Sequence, residues 1–261
     1  MLSSKKYCII GLGFIYPRHV DAIERNNGKV ILTCDIDETK CPDYTDWVKM
    51  FNSPEFEAVD IVVICTPNYL HGPIAREAIL RGKQVLTEKP MTFGTTQGLD
   101  KIYTVLQLRN SDKVKLLKEK SPKKVSVTAK MFREDKYWKG WKGDDLKSGG
   151  ILYNLGVHYI DLLIFILGHP LKILDTTYST TLATGKIEFE KGVGTYHIEI
   201  LDNREGQIRK ILADGEEVSL SDKDNLSYED LHYEVHKALL DGKGVPYSEA
   251  IKSLNLIDQL K

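Results

Sequence analysis

The fold is decided by the stretch KYCIIGLG, residues 6–13, in which a short apolar run leads directly into a turn with two glycines. A strand that ends in Gly11-x-Gly13 lets the backbone come close to a pyrophosphate, and a helix starting just after it supplies unpaired N–H groups. The position that usually holds a third glycine is occupied by Tyr16. Because Gly-x-Gly at a strand end is also an ordinary tight turn, the motif alone indicates a dinucleotide site only weakly.

Strand and helix patterns alternate through the first part of the chain. A continuous apolar run such as 61–64 is typical of a strand buried on both faces of a parallel sheet, and Gly82 is placed to end a helix. This βαβ repetition predicts a doubly wound parallel sheet, that is, a Rossmann-type α/β domain. The elements predicted are strands at 6–10, 30–35, 58–66, 84–87 and 102–108, and helices at 17–26, 69–81 and 110–120.

The pattern changes at residue 123, where alternating residues and glycine-containing turns predict an open, mainly antiparallel sheet. The elements predicted are strands at 125–132 and within 173–220, and helices at 148–167, 226–240 and 248–260. The predicted organisation is a Rossmann domain at 1–109 and an α+β domain at 110–261 for substrate binding and oligomerisation. The last helix is expected to be able to pack back on the first domain.

The charges of the chain nearly cancel, with 36 lysines and arginines against 37 aspartates and glutamates. No basic field is available to hold nucleic acid or an anionic membrane, and neither is expected as a partner. The amino terminus runs into the first strand without a signal-peptide pattern, so a cytoplasmic protein is predicted. The apolar stretch 151–168 contains Asn154, His158 and Asp161, which would be costly in lipid, and is predicted to be a buried helix.

The four cysteines show no spacing typical of metal ligands, and no metal site is predicted. They are Cys8, Cys34, Cys41 and Cys65. Three of them lie in apolar runs that look like strands, so reduced, buried thiols are expected.

The second strand leads to Asp35, at about the distance from the glycine turn expected of an acid that binds the adenosine ribose. A carboxylate there accepts hydrogen bonds from the 2′-hydroxyl and repels a 2′-phosphate, so NAD is favoured over NADP. The alternative that Asp35 only caps a loop stays open. Thr66, Pro67 and Asn68 follow the third strand on the same edge of the sheet. For His71, one turn further on, a cofactor contact and a packing role are equally open.

Two segments carry the predicted chemistry. Glu88-Lys89-Pro90 leaves the fourth strand, and a lysine desolvated there beside a positive nicotinamide ring is expected to have a lowered pKa. Asn154 and His158 are spaced for one face of a helix, and Gly156 between them leaves room for a ligand. A surface lysine and a hydrogen-bonded core histidine remain the alternatives.

Together these motifs resemble the Gfo/Idh/MocA oxidoreductase family, whose members join a Rossmann domain to an open-sheet domain and carry a Glu-Lys-Pro motif and a helix histidine. The resemblance spans essentially the whole chain. It is strongest to a branch that oxidises a UDP-linked N-acetyl-hexuronic acid (UDP-GlcNAcA) at C3, and asparagine at the position of Asn154 is a feature of that branch. The segments that carry the resemblance are 11–19, 65–71, 106–109, 141–144 and 148–158.

The resemblance implies a role for individual residues. The implied catalytic residues are Lys89 and His158, with Asn154 orienting the sugar. The residues implied to line NAD are Gly11, Gly13, Phe14, Ile15, Asp35, Thr66, Pro67, Asn68, His71, Glu88, Lys89 and Gln107. The residues implied to meet the substrate are Arg109, Arg133, Tyr137, Trp141, Lys142, Tyr153, Asn154 and His158. The Lys89–Pro90 bond is a candidate for the cis form.

The implied function is oxidation of a sugar hydroxyl, C3 of the UDP-N-acetyl-hexuronic acid, by hydride transfer to NAD in a homo-dimer or homo-tetramer. Two alternatives stay open: another sugar or polyol dehydrogenase of the family, such as an inositol type, and a non-catalytic NAD-binding protein. The chain departs from the family pattern between residues 90 and 106, where a helix is expected to be trimmed. It departs again at Tyr16, whose bulk is expected to tilt the pyrophosphate or touch substrate.

Overall fold

The computed structural model describes residues 4–91, 99–218 and 231–261. The chain divides into two compact units. The first comprises Met1–Val105 and Glu229–Ala250, and the second comprises Leu106–Tyr228 and Ile251–Lys261. The predicted second domain, 110–261, therefore differs from the second unit. The chain returns to the first unit at Glu229–Ala250, because Val235 and Leu239 in this segment pack in the core of that unit.

The secondary structure is as follows. The strands are β1 (Lys6–Ile10), β2 (Lys29–Cys34), β3 (Ile61–Ile64), β4 (Gln84–Thr87), β5 (Ile102–Thr104), β6 (Lys124–Phe132), β7 (Pro170–Tyr178), β8 (Leu182–Phe189), β9 (Gly192–Leu201), β10 (Ile208–Ala213) and β11 (Glu216–Glu217). The helices are α1 (Tyr16–Arg25), α2 (Trp47–Phe51), α3 (Asn68–Leu80), α4 (Asp112–Lys120), α5 (Asp135–Trp138), α6 (Asp145–Ser148), α7 (Val157–Leu167), α8 (Leu231–Leu240) and α9 (Tyr247–Leu260). A π-helical turn, Leu152–Gly156, directly precedes α7.

The first unit contains a five-stranded parallel sheet in the order β2-β1-β3-β4-β5. β1 lies between β2 and β3 in the sheet, so the chain order reverses at β1. The carboxyl ends of β1 and β3 therefore form a topological switch point, where open α/β sheets bind ligands. β3 is buried along its whole length, as a central parallel strand requires. Ile9 and Val63 share one core cluster with Val235 and Leu239 of α8, so α8 is part of the Rossmann core.

The predicted Rossmann elements are present, with two differences among the described residues. The strand predicted at 102–108 ends at Thr104, and a 3₁₀ turn, Gln107–Asn110, follows it. The helix α2 was not predicted; the Asp46 carboxylate caps it by accepting a hydrogen bond from the Val48 N–H. The segment 93–100 and the start of the helix predicted at 226–240 lie largely outside the described residues.

The second unit contains a six-stranded sheet in the order β11-β10-β6-β9-β8-β7. The prediction of an open, mainly antiparallel sheet is confirmed, with one exception at its centre, where β6 and β9 run parallel. Parallel neighbours need a long connection, and the chain between β6 and β9 includes α7 and two further strands. α7 packs against β6 and β9.

The helical stretch Asp145–Leu167 is long and apolar enough to cross a membrane, but 83% of its most apolar window is buried inside the protein. Ile160, Leu163 and Leu167 are fully buried. Burial of this kind is typical of a core helix, which agrees with the prediction from its polar residues.

The cysteines differ in exposure. Cys8 and Cys34 are buried in neighbouring strands, as predicted, whereas Cys41 is exposed and Cys65 is half-buried. Burial, reinforced by the nearby carboxylates of Asp46 and Asp35, raises the pKa of Cys34 to about 12. Cys34 therefore stays a neutral thiol at physiological pH.

Candidate active site

The glycine turn lies at the switch point of the first sheet. Gly11 has a φ of +96°, and a Cβ on it would lie 2.7 Å from the carbonyl carbon and oxygen of Cys65, so glycine is required there. A Cβ on Gly13 would meet nothing within 4 Å, and Phe14 beside it is 85% exposed. The turn therefore presents an open backbone surface at the start of α1, as a pyrophosphate site requires.

Tyr16 occupies the place of the third glycine. Its side chain is half-buried and packs against the core cluster that contains Ile9 and Val63. This packing gives Tyr16 a structural role at the first turn of α1, and its expected effect on the pyrophosphate or the substrate stays a prediction.

The Asp35 carboxylate is 8% exposed and is held in place by three donors. Oδ2 accepts hydrogen bonds from the Leu12 N–H at 2.6 Å and the Lys40 ammonium at 2.9 Å, and Oδ1 accepts one from the Asp37 N–H at 2.9 Å. Burial alone would raise the pKa of Asp35, but Lys40 and these N–H groups lower it. The carboxylate thus joins the glycine turn to the end of β2, where a ribose-binding acid is expected.

His71 fixes the loop that follows β3. Its Nδ1 lies 2.8 Å from the Pro90 carbonyl oxygen and its Nε2 lies 2.8 Å from the Thr66 carbonyl oxygen. Burial lowers the pKa of His71 against the effect of these two carbonyls. The side chain thereby connects the loop at Thr66 to the Lys89–Pro90 segment, while Asn68 is buried at the first turn of α3.

Glu88 follows β4 and lies among three buried histidines, none of which was predicted from the sequence to be a site residue. Its Oε1 accepts a hydrogen bond from His19 Nε2 at 3.0 Å and lies 3.5 Å from His232 Nε2. His19 Nδ1 lies 2.9 Å from Nε2 of His236. Burial would raise the pKa of Glu88, but His19 and His232 hold it well below its usual range.

Burial lowers the pKa of His19, although Glu88 acts in the opposite direction. Burial and the neighbouring histidines hold the pKa of His236 well below its usual range. The positions 19, 88 and 232 are too far apart in sequence to form a motif. The only signal in the sequence was the pair His232 and His236, one turn apart on a predicted amphipathic helix.

Lys89 lies directly after Glu88, at the carboxyl edge of the first sheet, and is half-buried. The Lys89–Pro90 peptide bond is cis, as predicted. The neighbouring backbone is firmly held, because the Glu88 N–H donates to the Ile64 carbonyl at 2.8 Å and the Val105 N–H donates to the Thr87 carbonyl at 2.9 Å. The lysine is therefore presented by a rigid strand end.

In the second unit, Asn154 lies in the π-helical turn Leu152–Gly156, and His158 lies in the first turn of α7. The predicted helix through both residues is present, with a π-helical turn inside it, and the shared face of Asn154 and His158 stays a prediction. A π-turn widens the helix and changes the angle between residues four apart, and such turns are frequent at functional sites. Asn154 is buried, and its Nδ2 donates to the Tyr137 hydroxyl at 3.1 Å.

Cationic and aromatic side chains surround Tyr137. The Arg133 guanidinium lies 5.2 Å and the Lys142 ammonium 4.3 Å from the centre of its ring, and Lys142 also lies 5.6 Å from the Trp141 ring. Burial, with the charge of Arg133 as a second cause, lowers the pKa of Lys142. Burial raises the pKa of the Tyr137 hydroxyl.

Arg133 lines two adjacent grooves of about 410 and 450 Å³ in the second unit. The first also contains Tyr137, and the second also contains Lys142. Two cations beside aromatic rings and open grooves suit a phosphorylated ligand with an aromatic base. Gln107 is also in this unit, and its buried Oε1 has no hydrogen-bond partner among the described residues.

Two residues predicted to meet substrate make polar contacts within the second unit. Arg109 is 9% exposed and makes a bidentate ion pair with Asp161. Nε donates to Oδ2 at 2.8 Å, and Nη2 donates to Oδ1 at 2.6 Å. Ser253 also donates to Asp161 at 2.7 Å. The Tyr153 hydroxyl donates to Asp258 at 2.7 Å. Both residues therefore tie the helical core of the second unit together, because their polar groups are used within it.

Comparison with known proteins identifies the family. The model of an oxidoreductase family with an NAD-binding Rossmann fold matches residues 5–117, and the model of its C-terminal α/β domain matches residues 115–201. This chain belongs to the Gfo/Idh/MocA oxidoreductase family. The family resemblance inferred from the sequence is thereby confirmed, and so are the two-domain fold class and NAD as the cofactor.

Among the solved and curated proteins similar to this Gfo/Idh/MocA protein are several dehydrogenases. A WlbA (WbpB) dehydrogenase from Thermus thermophilus, solved in complex with NAD and UDP-GlcNAcA, has 28% identity and a TM-score of 0.82, covering 96% of this chain and 92% of that one. A glucose-6-phosphate 3-dehydrogenase from Bacillus subtilis has 25% identity over 62% of this chain and 53% of its own length. An NADP(+)-dependent scyllo-inositol 2-dehydrogenase, IolW, from the same organism has 27% identity over 43% of this chain and 36% of its own length. The chain spans about half the length of such curated relatives, or less.

The residues of the Gfo/Idh/MocA first unit fit NAD. The turn at Gly11 closes against the backbone of Cys65 so tightly that no side chain is possible, and the adjoining surface at Gly13 is open. The ionised Asp35 carboxylate lies at the end of β2, where it suits a ribose hydroxyl rather than a phosphate.

Proposed function

We propose that this protein is an NAD-dependent dehydrogenase that oxidises a sugar hydroxyl, at C3 of a UDP-linked N-acetyl-hexuronic acid. The observation that carries the proposal is the 28% identity to a dehydrogenase solved with NAD and UDP-GlcNAcA, over 96% of this chain. The cationic and aromatic cluster at Arg133, Tyr137 and Lys142 supports a nucleotide-sugar substrate.

NAD, when bound, accepts the hydride from the carbon that carries the reacting hydroxyl. In this proposal Gly11, Gly13 and Asp35 hold the dinucleotide, and Thr66, Asn68 and Gln107 are further contacts. Lys89 hydrogen-bonds the reacting oxygen, and His158 is the principal acceptor of the hydroxyl proton. A base within hydrogen-bond reach of that proton is the geometric requirement.

In this proposal Asn154 orients the sugar, and Tyr137 fixes the Asn154 amide through the 3.1 Å hydrogen bond. Arg133 and Lys142 meet the diphosphate or the sugar carboxylate, and Trp141 offers a face for the base. A lysine whose charge is partly desolvated gains most from an anionic ligand, since the ligand restores the interaction that burial removed. Arg109 and Tyr153 have no direct role in this proposal.

Further parts of the proposal concern the cell. We infer that the reaction takes place in the cytoplasm, in the synthesis of sugars for surface polysaccharide, and that the protein is a homo-dimer or homo-tetramer. Leu171 and Leu174 of β7 are 60% and 43% exposed, and such apolar positions on an open sheet suit a subunit interface.

The experiment is NADH formation measured against a panel of UDP-GlcNAcA, UDP-glucuronic acid, glucose 6-phosphate and an inositol. The expected result is turnover with UDP-GlcNAcA that exceeds the others. Arg133→Ala is expected to raise the KM for the UDP-sugar about 10–100-fold, the effect of losing one charge-assisted hydrogen bond, and Lys115→Ala, an exposed lysine of α4 outside both grooves, is the control. Turnover of glucose 6-phosphate or inositol alone would overturn the substrate assignment.

A second candidate, a dehydrogenase of a simpler sugar or polyol, is favoured by the glucose-6-phosphate 3-dehydrogenase and scyllo-inositol 2-dehydrogenase relatives. It predicts turnover of one of those substrates with Arg133→Ala unaffected. A protein that binds NAD without turnover of any member of the panel would favour the non-catalytic alternative.

A further inference from the structure

A cluster of buried polar side chains lies behind the strand end that presents Lys89. It consists of His19 from α1, Glu88 after β4, and His232 and His236 from α8. His19 and His236 are fully buried, His232 is 2% exposed, and the Glu88 side chain is 13% exposed. All four belong to the first unit.

The hydrogen bonding of this cluster is incomplete. Neither ring nitrogen of His232 has a hydrogen-bond partner among the described residues, and its Nε2 lies 3.5 Å from Glu88 Oε1, too far for a strong hydrogen bond. Buried side-chain nitrogen atoms are nearly always satisfied, because leaving them unpaired costs free energy. An unpaired imidazole nitrogen beside a carboxylate is a pair of groups that one metal ion can satisfy.

The distances within the cluster suit a metal ion. With the His19 proton on Nδ1 instead of Nε2, His19 Nε2, Glu88 Oε1 and His232 Nε2 would each offer one lone pair to an ion, and the three atoms all lie within 4.8 Å of one another. The separations of 3.0 Å from His19 and 3.5 Å from His232 to Glu88 Oε1 bracket the value of about 3.3 Å between two ligands of tetrahedral zinc.

The surroundings of His19 also match a metal ligand. A histidine that binds a metal through one ring nitrogen usually donates the N–H of the other to an acceptor, which fixes the tautomer and the ring orientation. His19 Nδ1 lies 2.9 Å from Nε2 of His236, which can accept this hydrogen bond. His236 is itself held against His19 by an edge contact with ring centres 5.2 Å apart.

We propose that His19 Nε2, Glu88 Oε1 and His232 Nε2 bind one divalent transition-metal ion of the Zn²⁺ class, with His236 as the outer hydrogen-bond acceptor. Two imidazoles and one carboxylate are the ligands that zinc takes in many sites, and they leave a fourth position for water or for Glu88 Oε2.

The ion would have a structural effect on the first unit. It would connect α1, the end of β4 and α8, which are distant in sequence, and hold α8 on the Rossmann core. It would also fix the Glu88 carboxylate next to Lys89. The metal site goes beyond the proposed function and does not depend on which sugar is the substrate. Metal content is measured without turnover, so the two proposals can fail separately.

The test uses the full chain with any affinity tag removed, stripped with a chelator and then titrated with Zn²⁺ or Co²⁺. Metal per chain is measured by mass spectrometry, and the thermal midpoint is followed in parallel. One ion per chain, a midpoint that rises with metal concentration, and a tetrahedral Co²⁺ spectrum with nitrogen and oxygen ligands are expected. His232→Gln is expected to abolish stoichiometric binding, and His236→Asn to weaken it about 10–100-fold.

Two histidines of the second unit provide matched controls. His169→Gln removes a histidine outside the cluster, and His197→Gln removes one that lies 2.7 Å from Glu199, a half-exposed His–Glu pair. Both variants are expected to keep one ion per chain. Binding that is lost in His197→Gln and kept in His232→Gln would overturn the proposal, and so would a folded wild-type chain that takes up no stoichiometric metal.

A variant in the cluster that fails to fold leaves the question decidable on the wild-type protein. X-ray absorption of the zinc-loaded chain is expected to show nitrogen and oxygen ligands at about 2.0–2.1 Å with imidazole scattering from two histidines. A spectrum without imidazole scattering would place the ion elsewhere and contradict the assignment. In that case the cluster is a hydrogen-bonded histidine network around Glu88.

Discussion

The strand ends of the first unit and the loops of the second unit present their polar groups in different ways. Around Glu88 and Asp35, buried carboxylates are held by backbone N–H groups and by side chains packed in the core. Around Tyr137, half-buried cations lie over aromatic rings beside open grooves. The first arrangement suits a ligand of constant shape such as a dinucleotide, and the second suits a variable, charged substrate.

The largest effect is expected from removing the proposed proton-handling groups, one from each region. Lys89→Ala and His158→Asn are each expected to lower kcat about 10²–10⁴-fold, the usual contribution of a general acid or base. Steady-state NADH formation is the measurement, with Lys115→Ala and His169→Asn as controls. If His158→Asn turned over at a near-normal rate while Lys89→Ala lost activity, the proton-accepting role would belong to Lys89.

The Arg109–Asp161 ion pair tests whether every cation of the second unit serves the substrate, because this buried pair gives Arg109 a role in stability. Arg109→Met is expected to lower the free energy of unfolding by about 3–5 kcal/mol, since it leaves a buried carboxylate without its partner. Adding Asp161→Leu is expected to restore part of that loss. Chemical denaturation measures both effects.

The control for this pair is the exposed ion pair between Lys115 and Asp112. Lys115→Met is expected to change stability by about 1 kcal/mol or less. An Arg109→Met protein with unchanged stability and a raised KM for the UDP-sugar would return Arg109 to the substrate site, as first predicted.

Gly11 and Gly13 of the same turn are expected to differ in their effect on stability, since a side chain would be strained at Gly11 and would meet open space at Gly13. Gly11→Ala is expected to destabilise the fold by about 1–3 kcal/mol, because φ is positive and the new Cβ meets the Cys65 backbone at 2.7 Å. Gly13→Ala is expected to leave stability within about 0.5 kcal/mol, since its Cβ has open space. Thermal unfolding without NAD checks both variants, and equal midpoints would contradict the packing described at Gly11.

The smallest expected effect is the pH dependence contributed by Asp35. Because the pKa of the folded state is lowered from its ordinary value of 3.8, the ionised group stabilises the fold fully above that value. This contribution is lost as the pH falls through the lower folded pKa. Asp35→Asn is expected to cost about 1 kcal/mol at neutral pH, with the difference from wild type shrinking below pH 3.8. The exposed Asp241→Asn is the control, and a difference that persists in acid would contradict the account.

The strand-end region was largely predictable from the sequence. Apolar runs such as 61–64 fix the strands, and parallel strands place the residues that follow them on one edge, so the positions of Gly11, Asp35 and Lys89 follow from local patterns. The histidine cluster was not predictable, because His19 and His232 come together only through the return of α8 to the first unit.

The second unit was less predictable at the level of side chains. The π-turn at Leu152–Gly156 has no sequence signature beyond its glycines, and the helical spacing of Asn154 and His158 was inferred from a regular α-helix. Arg109 looked like an anion-binding residue, because the sequence does not show that Asp161 lies against it. The parallel pairing of β6 with β9 likewise depends on long-range packing.

The central claim, hydride transfer from C3 of the sugar to NAD, is tested most directly with UDP-GlcNAcA deuterated at C3. The coenzyme is recovered after turnover and its mass is measured. We predict that the reduced coenzyme carries one deuterium. Reduced coenzyme without deuterium would contradict the proposed site of oxidation, and no reduced coenzyme from a folded, NAD-binding protein would contradict the proposed reaction.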